Sequence, residues 1–245
     1  KLETEGIHVI YSAKGSRRTL GKVGDPEAPP DSTLDEISSS LTTLQVIKPY
    51  KLASHEFHLT KTVVRIGNEV FGDRNIPLIR ACDDLSSLRN VISGRDNSLS
   101  GTVFFDLAPD LYERGVRQSA LEIIKSRSKN SDIQIIVRVD SSATVKYVAG
   151  SADALYITGE QMQNYNLLQA VGETELPVLL KRGFSSKIDE LLLASEYILS
   201  AGNLNVMLCE RGIRSFDSKY TRNVLDINAV PVLKELSHLP VIVDP

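Results

Sequence analysis

The 245-residue chain contains no tryptophan, only two cysteines, two methionines and four histidines, and no long apolar run. Two cysteines cannot build a multi-disulfide framework, and both lie in apolar, strand-like stretches, so we expect reduced thiols. The histidines show no zinc-binding spacing, and the sequence HEFH at residues 55–58 lacks the HExxH register. No stretch approaches the roughly 18 apolar residues of a membrane span.

The chain also has no excess of positive charge: its net charge is −3 and its sequence pI is about 5.9. Nucleic acid and anionic lipid attract proteins with a basic field, which this chain lacks, so we expect no nucleic-acid partner. We also expect no direct membrane span, and only a peripheral membrane association through partner subunits. Hydrophobic residues make up 42% of the chain and charged residues 24%, as in ordinary globular proteins. The chain begins with Lys1 and shows no signal-like segment, so we expect a soluble mature form without a transit peptide.

From Ile76 onward, short apolar runs alternate with helical patterns. The predicted strands are Ile76–Cys82, Thr102–Phe105, Ile133–Val139, Ala154–Thr158, Val178–Leu180, Leu204–Cys209 and Val241–Val243. The helical patterns are clearest at Ser119–Ser128 and Lys187–Ser200. Strands that alternate with helices predict an α/β fold with a parallel sheet, here a (β/α)8 TIM-type barrel with about seven of its strands in this chain.

The stretch from Pro177 to Asp226 carries the charged residues of greatest interest. Its two apolar runs lead into Lys-Arg-Gly and Glu-Arg-Gly-Ile-Arg, with an amphipathic helix between them. In a (β/α)8 barrel the carboxyl ends of the strands carry the chemistry. Five residues would therefore converge at one mouth of the barrel: Lys181, Arg182, Glu210, Arg211 and Arg214.

The same stretch resembles a known family. The blocks LLKRG, EYIL-x-x-GN, CERGIR-x-F and TRN-x-LD are similar to the type Iβ 3-deoxy-D-arabino-heptulosonate 7-phosphate (DAHP) synthases. The resemblance implies an aldolase-type TIM barrel that condenses phosphoenolpyruvate with erythrose 4-phosphate on a divalent metal. It also implies that the five charged residues at the mouth occupy phosphoenolpyruvate-site positions.

The resemblance further implies a division of the chain at residue 75. Residues 1–75 would form a truncated ferredoxin-like α+β segment and connector, and residues 76–245 a barrel lacking its last strand. In the first segment we predict strands at Ile7–Tyr11 and Thr19–Val23, a proline-rich loop at Gly24–Pro30 and a helix at Thr33–Leu41. The truncation argues against the feedback-inhibitor site that the family carries in this domain.

The metal site implied by the family uses Cys, His, Glu and Asp. Cys82 falls at the position of the cysteine, and the other three ligands lie past Pro245 in the family. One ligand of four does not hold a divalent metal, so we expect Cys82 to be a vestigial ligand in a chain with no metal and no other cofactor.

Three substrate-binding positions of the family are changed in this chain. Between Phe105 and Tyr112 the family's Lys and Arg become Asp106 and Ala108, and after the fourth barrel strand its phosphate-binding Arg becomes Glu160. Joining two phosphate-bearing anions requires cations, and one charge contact at ~4 Å is worth roughly 1 to 4 kcal/mol. These exchanges predict lost substrate binding.

We therefore expect a pseudoenzyme that serves as a structural subunit of a larger protein complex. Together with the changed site, the family resemblance implies subcomplex B of the chloroplast NDH complex as the assembly, on the stromal side of the thylakoid, which serves cyclic electron flow around photosystem I. An active DAHP synthase of the shikimate pathway is the alternative. An anion-sensing module built on Lys181 and Arg211 is the second alternative.

Overall fold

The computed structural model describes most of the second half of the chain and shorter parts of the first. The described residues are 8–14, 17–23, 48–73, 76–82, 84–93, 101–105, 119, 122–126, 133–217 and 219–245. The predicted loop at 24–30 and the predicted helix at 33–41 lie outside them.

Thirteen strands and five helices are assigned within these residues. The strands are β1 (His8–Lys14), β2 (Arg17–Val23), β3 (Val64–Ile66), β4 (Glu69–Phe71), β5 (Ile79–Cys82), β6 (Gly101–Phe105), β7 (Ile133–Val139), β8 (Ala154–Ile157), β9 (Val178–Lys181), β10 (Val206–Glu210), β11 (Ile213–Arg214), β12 (Asn223–Val224) and β13 (Val241–Val243). The helices are α1 (Leu85–Ile92), α2 (Ser142–Val148), α3 (Tyr165–Gly172), α4 (Ile188–Ser200) and α5 (Ala229–Leu236). Residues 122–126 are also helical.

Seven strands form one parallel sheet in the order β13-β10-β9-β8-β7-β6-β5. Each strand pairs with the next sheet strand along the chain, which is the winding of a (β/α)8 barrel; a doubly wound sheet would reverse its strand order. The predicted α/β barrel with seven strands is confirmed, with strand ends displaced by a few residues. Within the described residues, β5 and β13 each have one sheet neighbour.

The two faces of the sheet pack against different partners, because side chains alternate along a strand. On the outer face, Leu155, Leu180 and Leu208 pack against the helices. On the inner face, Tyr156, Leu179, Met207 and other buried side chains form a second apolar cluster. The interior of the barrel is therefore a packed core, and chemistry is confined to its ends.

The hairpin formed by β3 and β4 covers the amino end of the barrel. Its side chains Val64, Ile66 and Phe71 belong to the inner cluster. Its turn residue Gly67 has φ +56°, and a Cβ there would lie 2.2 Å from the Gln134 side chain at the start of β7. The amino end of the barrel interior is thus covered, and in barrels of this type the chemistry is found at the carboxyl end.

The segment of residues 48–62 packs against the outside of the barrel near α4 and α5. Tyr50, Leu52 and Ala53 are buried in the outer cluster, and Ser54 forms an isolated bridge to Ser237 after α5. This segment therefore ties the part of the chain before the barrel to two of its helices.

The first part of the chain contains the antiparallel pair β1 and β2, as predicted from its two apolar runs. The ferredoxin-like assignment and the division of the chain at residue 75 stay predictions. Among the described residues, no helix is long and apolar enough to cross a membrane.

Candidate functional site

Lys181 ends β9 at the carboxyl end of the sheet and faces the barrel interior, like Leu179 two residues earlier. Its ammonium pairs with the carboxylate of Asp244, which follows β13, and lies 5.4 Å from the centroid of the Tyr156 ring. Lys181 is only 8% exposed. Its ammonium therefore lies in a space largely shielded from water, where its electrostatic attraction for an anion is strong.

Arg182 points to the other side of the strand and forms a buried ion cluster. One of its terminal nitrogens lies 2.7 Å from Glu210 Oε2 and 3.1 Å from Asp226 Oδ2, while its Nε donates to the Ser186 carbonyl at 2.9 Å. Burial opposes the guanidinium charge, but the hydrogen bonds and charges of Glu210 and Asp226 outweigh it and raise the pKa of Arg182. Arg182 therefore stabilises the loops after the strands.

Glu210 is fully buried and holds the turn that follows β10. Its Oε1 accepts a hydrogen bond of 2.7 Å from the backbone N–H of Gly212. Gly212 has φ +96°, and a Cβ there would lie 2.3 Å from the Val224 carbonyl oxygen. Only glycine fits this position, and the turn sets the backbone position of the neighbouring Arg211.

Arg211 lies beside Glu160, which follows β8 in a short 3-10 turn. Its terminal nitrogen is 3.5 Å from Glu160 Oε1, and its guanidinium carbon is 3.7 Å from the centroid of the Phe184 ring. Burial opposes ionisation of Glu160. A hydrogen bond from its own backbone, with the charges of Arg211 and Arg138, outweighs this effect and lowers the pKa of Glu160.

Arg214 lies apart from these pairs. It is exposed on β11, in the short hairpin that β11 forms with β12. Its backbone N–H donates to the Phe184 carbonyl at 2.9 Å. The five residues predicted at the mouth thus lie at or after the ends of β9 and β10. They form three groups: the interior Lys181, the buried pair of Arg182 and Glu210, and two arginines with greater solvent exposure, Arg211 and Arg214.

Cys82 ends β5, is 4% exposed, and has its Sγ 3.9 Å from the Asp84 carbonyl oxygen. No three His, Cys, Asp or Glu side chains lie close enough to hold a metal in the described part of the chain. Those residues therefore do not fit the divalent metal that the family implies. Asp106 and Ala108 lie outside the described residues.

Several site residues were missed by sequence reasoning. Asp244, Asp226 and Phe184 partner the predicted cations from distant parts of the chain. Arg138 shares a face of β7 with Ile136 and pairs in register with Tyr156. Arg138 is two residues from Ile136, so the alternation of side chains along a strand could have placed it on the same interior face.

Comparison with known proteins gives the family. Residues 80–245 match the DAHP synthetase I family. The phospho-2-dehydro-3-deoxyheptonate aldolase of Thermotoga maritima is 34% identical over 244 residues, covering 96% of this chain and 72% of that protein. The 2-dehydro-3-deoxyphosphooctonate aldolase of Granulibacter bethesdensis is 32% identical over 54% of this chain and 45% of its own length.

Solved structures agree with this result. The crystal structure of the Thermotoga maritima DAHP synthase has a TM-score of 0.73 and 33% identity, covering 99% of this chain and 72% of that chain. A truncated form of the Thermotoga maritima 3-deoxy-D-arabino-heptulosonate 7-phosphate synthase has a TM-score of 0.69 and 33% identity, over 80% of this chain and 73% of that chain.

The fold and its charged carboxyl end define an α/β barrel of the TIM class. Within that class, the chain belongs to the DAHP synthetase I family.

The expectation of a non-catalytic subunit is wrong. The Thermotoga maritima relative is named as an enzyme and matches nearly the whole chain, and none of the relatives described above is a subunit of a photosynthetic complex. The prediction gave decisive weight to charge reversals at single positions. At Glu160 the reversed charge is paired with Arg211, so this reversal by itself is not evidence of a decayed site.

Proposed function

We propose that this chain has DAHP synthase activity, joining phosphoenolpyruvate to erythrose 4-phosphate. The observation that carries the proposal is the near-complete match to the Thermotoga maritima enzyme, 34% identical over 96% of this chain. The placement of Lys181 and Arg211 supports it, because they lie at the carboxyl ends of two neighbouring parallel strands.

The reaction can be balanced from its reactants and product. The enol carbon of phosphoenolpyruvate forms a bond to the aldehyde carbon of erythrose 4-phosphate, and the aldehyde oxygen takes up a proton. Water adds to the carbon that carries the enol phosphate, and that phosphate leaves. Two phosphate esters thus give one sugar phosphate and one inorganic phosphate.

The proposed role of Lys181 is to bind an anionic group of phosphoenolpyruvate inside the barrel. Its ammonium is sheltered by the sheet, and its partner Asp244 has a side chain 47% exposed to solvent. Because Asp244 can turn toward water, a substrate anion can replace it at the ammonium. Charge-assisted contacts of this kind are stronger than neutral hydrogen bonds and position the substrate.

The proposed role of Arg211 is to bind a second anionic group at the rim. Its guanidinium is stacked on Phe184, which fixes its plane while leaving nitrogens free to donate to two oxygens of one phosphate or carboxylate. Lys181 and Arg211 come from the ends of adjacent strands, so together they would bind both ends of a small dianion.

The test is an assay of phosphate release with both substrates, with and without added Mn²⁺. The expected result is release that requires phosphoenolpyruvate and erythrose 4-phosphate together. Release with phosphoenolpyruvate alone at the same rate would contradict the proposal. Binding of phosphoenolpyruvate without any turnover would also contradict it, and would favour the anion-binding alternative.

A further inference from the structure

Glu160 and Arg211 form an ion pair at the rim of the barrel. The Glu160 side chain is 60% exposed and the Arg211 side chain 23%, and their closest nitrogen and oxygen atoms are 3.5 Å apart. Glu160 follows β8 and Arg211 follows β10, so the pair reaches across the end of β9, where Lys181 lies. The carboxylate is thus in the space that an anion bound to Arg211 would use.

The carboxylate of Glu160 is charged at neutral pH. A hydrogen bond from its own backbone and the charges of Arg211 and Arg138 lower its pKa despite the opposing effect of burial. A charged carboxylate next to Arg211 reduces the attraction that this arginine offers to another anion.

We propose that Glu160 competes with substrate anions for Arg211 and so sets how tightly this rim binds them. An incoming phosphate or carboxylate binds Arg211 only after the Glu160 side chain moves away. The inference rests on the proposed function for the natural ligand, phosphoenolpyruvate; the competition itself requires only the ion pair.

Displacing Glu160 costs little. The separation of 3.5 Å is long for an ion pair, and the carboxylate is already mostly in solvent. Exposed ion pairs contribute little stability, so the side chain can rotate into water. After the Glu160 side chain has moved away, its negative charge is still close to the rim. This charge repels a bound anion and weakens the binding of every anion there.

Glu160 is not needed to hold Arg211 in place. The guanidinium already stacks on Phe184, whose backbone carbonyl accepts a hydrogen bond from Arg214 N–H. A purely positioning carboxylate would strengthen anion binding through Arg211, whereas a competing carboxylate weakens it. The two roles predict opposite signs for the same substitution.

The test is calorimetric titration of Glu160→Gln with inorganic phosphate and, separately, with phosphoenolpyruvate. Gln is nearly isosteric and Glu160 is exposed, so the variant is expected to fold; circular dichroism checks this. We expect affinity to rise by about threefold to tenfold for both ligands. The control Glu235→Gln removes an exposed carboxylate on α5 and should leave affinity within twofold of wild type.

The second arm places Glu160→Gln in an Arg211→Gln background. If the competition acts through Arg211, the added substitution changes phosphate affinity by less than twofold there. Unchanged or weaker phosphate binding in Glu160→Gln alone would overturn the inference. An equally large gain of affinity in the Arg211→Gln background would overturn it as well.

The binding measurement separates this inference from the proposed function. Tighter phosphate binding in a protein that forms no product would leave the competition intact and refute the activity. Product formation by the wild type, with no gain of phosphate affinity in Glu160→Gln, would support the activity and refute the competition.

Discussion

Glu196 and Leu52 are 144 residues apart in sequence, yet the carboxylate of Glu196 accepts a hydrogen bond of 2.6 Å from the backbone N–H of Leu52. The same carboxylate accepts from the backbone N–H of Lys51 at 2.8 Å and of Ala53 at 2.9 Å. One side chain on α4 therefore satisfies three successive donors of the segment that precedes the barrel.

Replacing Glu196 with Gln should destabilise the protein by about 2 kcal/mol, because an amide offers one acceptor oxygen and no charge. The free energy of unfolding in urea measures this loss, and proteolysis within residues 48–62 should become faster. The control Glu235→Gln, on an exposed helix face, should change stability by less than about 0.5 kcal/mol. Equal stability of the two variants would contradict the proposed attachment.

His238 predicts a loss of stability on mild acidification. Its Nε2 lies 2.7 Å from the Leu52 carbonyl oxygen, so this nitrogen carries the hydrogen, and Nδ1 accepts from the Thr62 hydroxyl at 2.7 Å. Burial, with the electrostatic influence of His58, His55 and Lys61 nearby, outweighs the hydrogen bond to Leu52 and lowers the pKa of His238 from 6.5 to about 4.

Between these two pKa values the unfolded chain binds a proton that the folded chain does not, so stability falls as pH falls from about 6.5 to about 4. From pH 7 to pH 5 the loss due to His238 is about 2 kcal/mol. Urea unfolding of wild type and His238→Gln at both pH values measures it. The wild type should lose more stability than the variant, and parallel losses would contradict the assignment.

The buried cluster around Arg182 predicts unequal effects of its two carboxylates. Glu210 is fully buried, whereas the Asp226 side chain is 25% exposed. Glu210→Gln should cost about 3 kcal/mol, because it leaves a buried guanidinium without its main partner. Asp226→Asn should cost about 1 kcal/mol, because water can solvate the change. Denaturant unfolding compares them, and an equal or larger loss for Asp226→Asn would be inconsistent with this geometry.

Lys181 predicts a loss of activity without a loss of stability. Lys181→Met removes the interior cation, while its partner Asp244 is 47% exposed and stays solvated. Activity should fall by about 100-fold or more, and the unfolding free energy should change by less than about 1 kcal/mol. Lys146→Met, on the exposed face of α2, is the matched control. A Lys181→Met variant with wild-type turnover would exclude this lysine from substrate binding.

Much of the fold was predictable because the barrel strands are mostly apolar runs, such as Val178–Leu180, separated by helical patterns. The strand-end rule also placed Lys181 and Arg211 at one end of the sheet. The partner carboxylates were not predictable, since Asp244 is 63 residues from Lys181 and Asp226 is 44 residues from Arg182. Such pairs depend on the curvature of the sheet and on loop paths, which a local pattern does not encode.

The error in function had a physical origin as well. A charge reversal read from sequence gives the sign of one side chain but not the neighbour that compensates it. Glu160 is compensated by Arg211, 51 residues further along the chain. The substitution therefore changes the balance of charges at the rim, where Arg211 pairs with the new carboxylate.

The most direct test of the account is product analysis after incubation of the wild-type protein with phosphoenolpyruvate, erythrose 4-phosphate and Mn²⁺. Mass spectrometry should detect DAHP, with one inorganic phosphate released for each molecule formed. A folded preparation that binds phosphoenolpyruvate but forms no DAHP above the level of heat-denatured protein would contradict the central claim.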